Sequence, residues 1–83
     1  MVKAYDKGGF QVYVYSPPRE HQPPHVHVES NSGGEVLVLL GDAETPPSLW
    51  QNHHMSASDA REALRIVAEH QQQFLAEWKK LHG

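Results

Sequence analysis

Apolar and polar residues alternate along residues 10–15, starting from Phe10. Successive side chains of a strand point to opposite faces, so strict alternation is typical of a strand with one buried face. The stretch is also rich in β-branched and aromatic residues, which strands favour. We therefore predict a strand at residues 10–15, with Tyr13 and Tyr15 on the face opposite Phe10.

A second alternating stretch covers residues 25–30. Its two valines are expected to face the core, while its two histidines and its glutamate share the other face. Residues 31–34, Asn-Ser-Gly-Gly, have the composition of a hairpin turn. Residues 35–40 are almost all apolar, which predicts a returning strand in the interior of the sheet.

The remaining segments outside the C-terminal part carry weaker signals. Residues 2–5 are expected to form a short partner strand. Residues 42–55 are predicted to be a connection in which Leu49 and Trp50 are apolar anchors, in a short hairpin arm or in a turn packed on the core. We expect the His53-His54 pair to lie in a solvated loop before the helix.

The C-terminal part has the periodicity of one long amphipathic helix, with Ser56 or Ser58 as its N-cap. The apolar stripe of this helix consists of Ala60, Ala63, Leu64, Val67, Phe74, Leu75, Trp78 and Leu81. One polar residue, Gln71, falls inside this stripe, and we expect its side chain to form a hydrogen bond with a strand edge or a loop carbonyl.

An apolar sheet face and an apolar helix face must cover each other, which predicts an α+β fold in two layers. We expect an antiparallel meander of three to four strands packed against one long C-terminal helix. The chain of 83 residues is predicted to be a single domain, residues 1–83. A domain of this size has one modest core, so any ligand site is expected to be shallow or shared with a partner.

Composition limits the classes of function. The formal net charge is −3, and the lysines and arginines are scattered, so nucleic-acid binding by the chain alone is disfavoured. The chain has no cysteine, which excludes disulfides and thiolate chemistry. It has neither the apolar segment of a signal peptide nor the ~20 apolar residues of a membrane span. We expect a cytoplasmic protein without membrane contact.

The densest chemical signal is the histidine–proline segment His21-Gln22-Pro23-Pro24-His25-Val26-His27-Val28. His25 and His27 lie two residues apart on a predicted strand, so both rings project from one face, and His21 approaches from a stiff loop. Neutral imidazoles suit divalent transition metals such as zinc or nickel. Three histidines with a water in the fourth position would form a hydrolytic zinc site. Equally, these histidines could be polar strand residues that order the loop or contact a partner.

A second reading of the same region is a binding face. If Phe10 and its neighbours pack on the helix, Tyr13 and Tyr15 share the open face of the sheet with His25 and His27. Tyrosine is enriched at protein interfaces. The sequence therefore also predicts a surface for a protein partner or for a second copy of the chain.

The chain resembles a family of short bacterial proteins of unknown function, DUF4160. The resemblance rests on residues 10–15, on His21 to Val28, and on a terminal helix with Glu77-Trp78 and a final His82-Gly83. It implies a cytoplasmic prokaryotic protein, with some relatives encoded beside DNA-binding or toxin–antitoxin-like partners, and it implies no activity. The chain departs from the family at His53-His54, where relatives tend to have one histidine followed by glycine.

Three functions are compatible with these residues. The first, which we favour, is a protein-interaction module linked to a toxin–antitoxin-like system, with Tyr13, Tyr15, His25 and His27 as its contact face. The second is a metal-binding protein or small metal-dependent hydrolase or nuclease, with His21, His25 and His27 as ligands. The third is a pH- or metal-sensing regulator that uses the same histidines. The sequence leaves enzymatic activity open and identifies no catalytic residue.

Overall fold

The fold is an open antiparallel sheet covered on one side by two helices. A computed structural model describes residues 2–15, 23–42 and 44–82. The sheet has five strands in the order β1-β2-β3-β4-β5, each antiparallel to the next. The elements are β1 (Val2–Lys7), β2 (Phe10–Val14), β3 (His25–Ser30), β4 (Glu35–Leu39), β5 (Ser48–His53), α1 (Ala57–Glu69) and α2 (Gln71–His82). The α+β class is confirmed.

The strand count is higher than the three to four that we predicted, because the predicted connection 42–55 contains β5. All six residues of β5 are exposed, so the strand has no buried face and hence no alternation for the sequence to display. A register irregularity against β4 further breaks the period. His53 is the last residue of β5 rather than part of a loop, and His54 follows it with a φ of 70°.

The predicted single helix is two helices separated at His70. The N–H of His70 is shared between the carbonyls of Ile66 at 3.1 Å and Val67 at 3.3 Å. Only one residue leaves the helical conformation, so the apolar stripe continues across the break and the sequence does not reveal it. Ser56 is the N-cap of α1, because its hydroxyl accepts the N–H of Asp59. Within the described residues, neither helix is long and apolar enough to cross a membrane.

The core lies between the helices and one face of the sheet. The inward valines at positions 12, 14, 26, 28, 36 and 38 have no exposed surface. Full burial of a valine or a larger apolar side chain contributes about 1.5–3 kcal/mol, so these six valines contribute substantially to stability. On the helix side the buried residues include Ala63, Val67, Phe74 and Trp78. The predicted inward faces of β2 and β3 are thereby confirmed.

Gln71, the polar residue in the apolar stripe, is buried at the start of α2. Its Nε2 donates to the carbonyl of Asp42 at 3.0 Å, and its Oε1 accepts the N–H of Gly41 at 3.0 Å. The expected bond to a loop carbonyl is therefore confirmed. One side chain connects the helix junction to the chain just after β4.

Candidate functional site

Both helices pack on the valine side of the sheet, α1 near β4 and β5 and α2 near β1 and β2. Among the described elements, none covers the opposite side, which we call the open face. Strand pairing arranges its side chains in rows across the sheet. One row is Tyr13, His27, Leu37 and Gln51, the next is Gln11, Glu29, Glu35 and His53, and a third begins with His25 and Leu39.

A series of ring contacts crosses the open face from β2 to β5. Tyr15 meets His27 edge-on with centroids 4.7 Å apart, and the His27 and His25 rings are 5.4 Å apart. His25 in turn meets Trp50 edge-on at 5.0 Å. We call these four residues, Tyr15, His27, His25 and Trp50, the ring stripe. Edge-to-face geometry at these separations is favourable for aromatic pairs, so the stripe is assembled before any partner binds.

His25 is anchored more firmly than a polar residue on a solvated strand face. It is only 3% exposed, and its Nδ1 lies 2.9 Å from the carbonyl of Pro23, to which it donates. Its ring also lies 5.2 Å from that of Trp78 in α2, and Trp78 stacks on His82. His25 therefore contacts rings from both layers of the fold at the end of the sheet. Its orientation is fixed by this packing.

His27 pairs with a carboxylate of the neighbouring strand. Its Nδ1 is 3.1 Å from Oε2 of Glu35, and the two side chains are 12% and 32% exposed. Glu29 lies directly opposite Glu35 in the register, so two carboxylates stand side by side on the open face. We call Glu29 and Glu35 the carboxylate pair. The ring stripe thus borders an acidic patch.

The structure brings four of the predicted site residues together on the open face. Tyr13 and Tyr15 do share the open face with His25 and His27, and Tyr13 lies directly opposite His27. His21 lies outside the described residues. Sequence reasoning did not single out Glu35 as the partner of His27. The predicted turn at residues 31–34 would have paired residue 30 with residue 35, whereas the observed register pairs Glu29 with Glu35.

Metal binding by the histidines stays a prediction. Within residues 2–15, 23–42 and 44–82, no group of three or more histidine, aspartate or glutamate side chains is arranged to hold a metal ion. The Nδ1 atoms of His25 and His27 both face oxygen atoms, those of Pro23 and Glu35. Imidazoles that bind metal through Nε2 usually have Nδ1 engaged in this way. The two rings thus fit a metal role only if a further ligand, such as His21, joins them.

A concave surface of the described chain lies away from the ring stripe. A depression of about 390 Å³ runs between Pro46-Pro47 and the α1 residues Arg61, Leu64 and Arg65. The Arg65 guanidinium is already engaged by the carboxylates of Glu62 and Glu69. The depression includes no histidine and none of the ring stripe. This depression is therefore separate from the ring stripe and the carboxylate pair.

Comparison with known proteins agrees with the sequence resemblance. A family model described as "Domain of unknown function (DUF4160)" matches residues 9–79. The matched span includes the ring stripe, the carboxylate pair and both helices up to Lys79. No match was found among curated proteins or among solved structures.

Proposed function

The chain belongs to the DUF4160 family, whose description assigns no activity, and from its open face we propose that it is a protein-interaction module that binds a basic segment of another protein. The observation that carries this proposal is the ring stripe beside the carboxylate pair. Tyr13, which lies directly opposite His27 on β2, completes the contact face.

The ring stripe has the composition and rigidity of a binding surface. Tyrosine and tryptophan are enriched at interfaces and among the residues that dominate binding energy. Association costs about 0.5–1.5 kcal/mol for each flexible side chain that becomes fixed. Rings that already pack against each other lose little further freedom, and Trp50, which is 42% exposed, offers contact area at the end of the stripe.

The carboxylate pair indicates the charge of the partner. Like charges directly opposite each other in a sheet are unfavourable, and a lysine or arginine placed between Glu29 and Glu35 would relieve that repulsion. The net charge of −3 favours the approach of a basic partner over the whole molecule. The partner segment we propose combines a basic side chain with an adjacent aromatic or large aliphatic one.

A toxin–antitoxin-like setting, implied by the family resemblance, stays a prediction. It is compatible with an acidic module that holds a basic partner. A cytoplasmic location likewise stays a prediction. Neither is needed for the experiment that follows, which uses peptides in place of the natural partner.

Selection of random-sequence peptides displayed on phage tests the proposal. Peptides enriched on the wild-type chain should carry lysine or arginine next to an aromatic or large aliphatic residue. Their affinity should fall about tenfold in Trp50→Ala and in the Glu29→Gln/Glu35→Gln double variant, as expected for loss of a principal contact. Glu44→Gln, at an exposed loop position that lines a depression together with the helix residues Ala68 and Gln71, is the charge control and should bind as wild type does.

Two results would refute the proposal. One is enrichment of acidic or purely polar peptides. The other is enrichment of basic peptides whose affinity is the same for wild type and for both open-face variants, because binding would then lie on another surface.

A metal site is the second candidate function, favoured by the way oxygen atoms engage Nδ1 of both His25 and His27. A zinc titration followed by the ring resonances of the histidines distinguishes it. Joint shifts of His21, His25 and His27 with one ion per chain would support a metal site. If the histidine ring resonances do not shift with zinc while the chain still selects basic peptides, the metal site is refuted and the interaction module is retained.

A further inference from the structure

The two edges of the sheet differ in how well they are protected. β1 carries Lys3, Asp6 and Lys7, and its register against β2 shifts between Lys3 and Tyr5. The Ala4 carbonyl also accepts a bond from Gln73 of α2 at 3.0 Å. Charges, bulges and covering contacts are the features by which natural edge strands avoid pairing with other chains. The β1 edge is protected in all three ways.

β5 forms the other edge and shares one of these features, a register irregularity against its neighbour β4. All six of its residues are exposed, and none is an aspartate, glutamate, lysine or arginine. Leu49 and Trp50, at 43% and 42% exposure, are the large hydrophobic side chains exposed in the described part of the chain. An uncharged edge with exposed apolar residues readily pairs with another strand.

Charge decides which strand fits there. Residues 45–58 contain no aspartate, glutamate, lysine or arginine, and this is the longest such stretch in a chain of net charge −3. An acidic or basic partner strand would find no complementary charge on β5. A second copy of β5 brings none either, and an antiparallel pair of identical strands is self-complementary about a two-fold axis.

We propose that β5 pairs antiparallel with β5 of a second copy, which joins two sheets into one of ten strands. The two-fold axis stands perpendicular to the sheet, so the helices of both copies lie on one side and both open faces on the other. The two ring stripes then end near each other at Trp50. The inference concerns the edge of the sheet and does not depend on what binds to the open face.

The dimer is expected to be weak. An edge of six residues buries less than the area of a standard stable interface. The irregular register of β5 against β4 also shortens its flat part. Self-association should therefore depend on protein concentration, and the monomer should persist in dilute solution.

Sedimentation equilibrium over a wide concentration range, with two matched variants, tests the proposal. Gln51→Lys places like charges near the two-fold axis and should weaken self-association about tenfold or more. Gln72→Lys makes the same substitution at an exposed position of α2 and should leave self-association unchanged. Hydrogen exchange of the wild-type chain provides a readout that needs no variant, because amides of residues 48–53 should gain protection as concentration rises.

The pairing is supported if the wild type self-associates, Gln51→Lys does so at least tenfold more weakly, and Gln72→Lys matches the wild type. It is overturned if the wild type stays monomeric and its β5 amides exchange at the same rate at every concentration. It is also overturned if Gln51→Lys associates as strongly as the wild type, since another surface would then hold the copies together. Protection of β5 only upon addition of a different protein would assign the edge to that partner instead.

Discussion

Substitution of Gln71 by methionine removes the amide that connects the start of α2 to the chain after β4. Its Nε2 donates to the Asp42 carbonyl and its Oε1 accepts the Gly41 N–H, each at 3.0 Å, with a longer contact of 3.4 Å to the Thr45 carbonyl. Methionine has nearly the same length and volume, so the substitution deletes the hydrogen bonds without opening a cavity. We expect a clear loss of stability from this one change.

The expected loss in the free energy of unfolding follows from the two 3.0 Å hydrogen bonds of Gln71 and from the backbone groups that would lose their partner. A typical hydrogen bond contributes about 0.5–1.5 kcal/mol net, and a buried donor left without a partner costs about 1–3 kcal/mol. Gly41 is a partly exposed residue, whereas Asp42 is exposed and its carbonyl also accepts the Thr45 N–H at 3.3 Å. The expected loss in the free energy of unfolding is about 2–3 kcal/mol. For a domain of this size, that corresponds to a fall in Tm of roughly 10–20 °C.

Urea unfolding followed by tryptophan fluorescence measures the loss, because Trp78 is buried in the core. The sequence supplies a matched control: Gln72 is the next residue, is exposed, and should tolerate methionine within about 0.5 kcal/mol. Equal stabilities of the Gln71→Met and Gln72→Met variants would refute the role assigned to Gln71.

Three further predictions concern the turns. Gly34→Ala should cost more stability than Gly33→Ala, because both residues have positive φ but only at Gly34 would a Cβ overlap the backbone of Met55; unfolding in urea compares them. His54→Gly should raise the free energy of unfolding by up to about 1 kcal/mol, since His54 has a φ of 70°, where a side chain is strained; thermal unfolding measures the gain. The Glu44 N–H, then the side chain of Thr45 and its N–H, hold the pKa of Asp42 below its usual 3.8 by hydrogen-bonding the carboxylate. This carboxylate therefore stabilises the fold above that pH, and the contribution is lost as pH falls through the lowered pKa. An acid titration of Asp42→Asn should show a smaller loss than wild type.

Each of these has a contradicting outcome. Equal losses in Gly33→Ala and Gly34→Ala would mean that the turn moves away from Met55 at no cost. A less stable His54→Gly would mean that the histidine side chain makes contacts that outweigh its backbone strain. Identical acid-unfolding profiles of Asp42→Asn and wild type would show that the carboxylate contributes nothing to the loop.

The parts of the fold with a buried face were predictable from the sequence. Alternation marked β2 and β3, because their valines are in the core while their other side chains face outward. The polar Gln71 inside an apolar stripe had to find partners, which made its loop bonds predictable. By contrast, β5 has no buried face and so no period, and the interruption at His70 leaves the apolar stripe continuous.

The residues of the candidate site were largely predictable from the sequence, but the contacts between their side chains were not. Strand alternation indicated that Tyr13, Tyr15, His25 and His27 share one face. The contact of His25 with Trp50 required β5 to be a strand, since only the fold of the sheet brings residues so distant in sequence together. The pairing of His27 with Glu35 required the register of the hairpin. Both features depend on the sheet rather than on local spacing.

The binding face is tested most directly by amide chemical-shift mapping of the isotope-labelled chain with a selected basic peptide. We predict that the largest shifts fall on His27 of the ring stripe, on Glu35 of the carboxylate pair, and on the adjacent residues Tyr13 and Leu37. Shifts confined to the depression beside Arg61 in α1, with the open face unchanged, would contradict the proposed function.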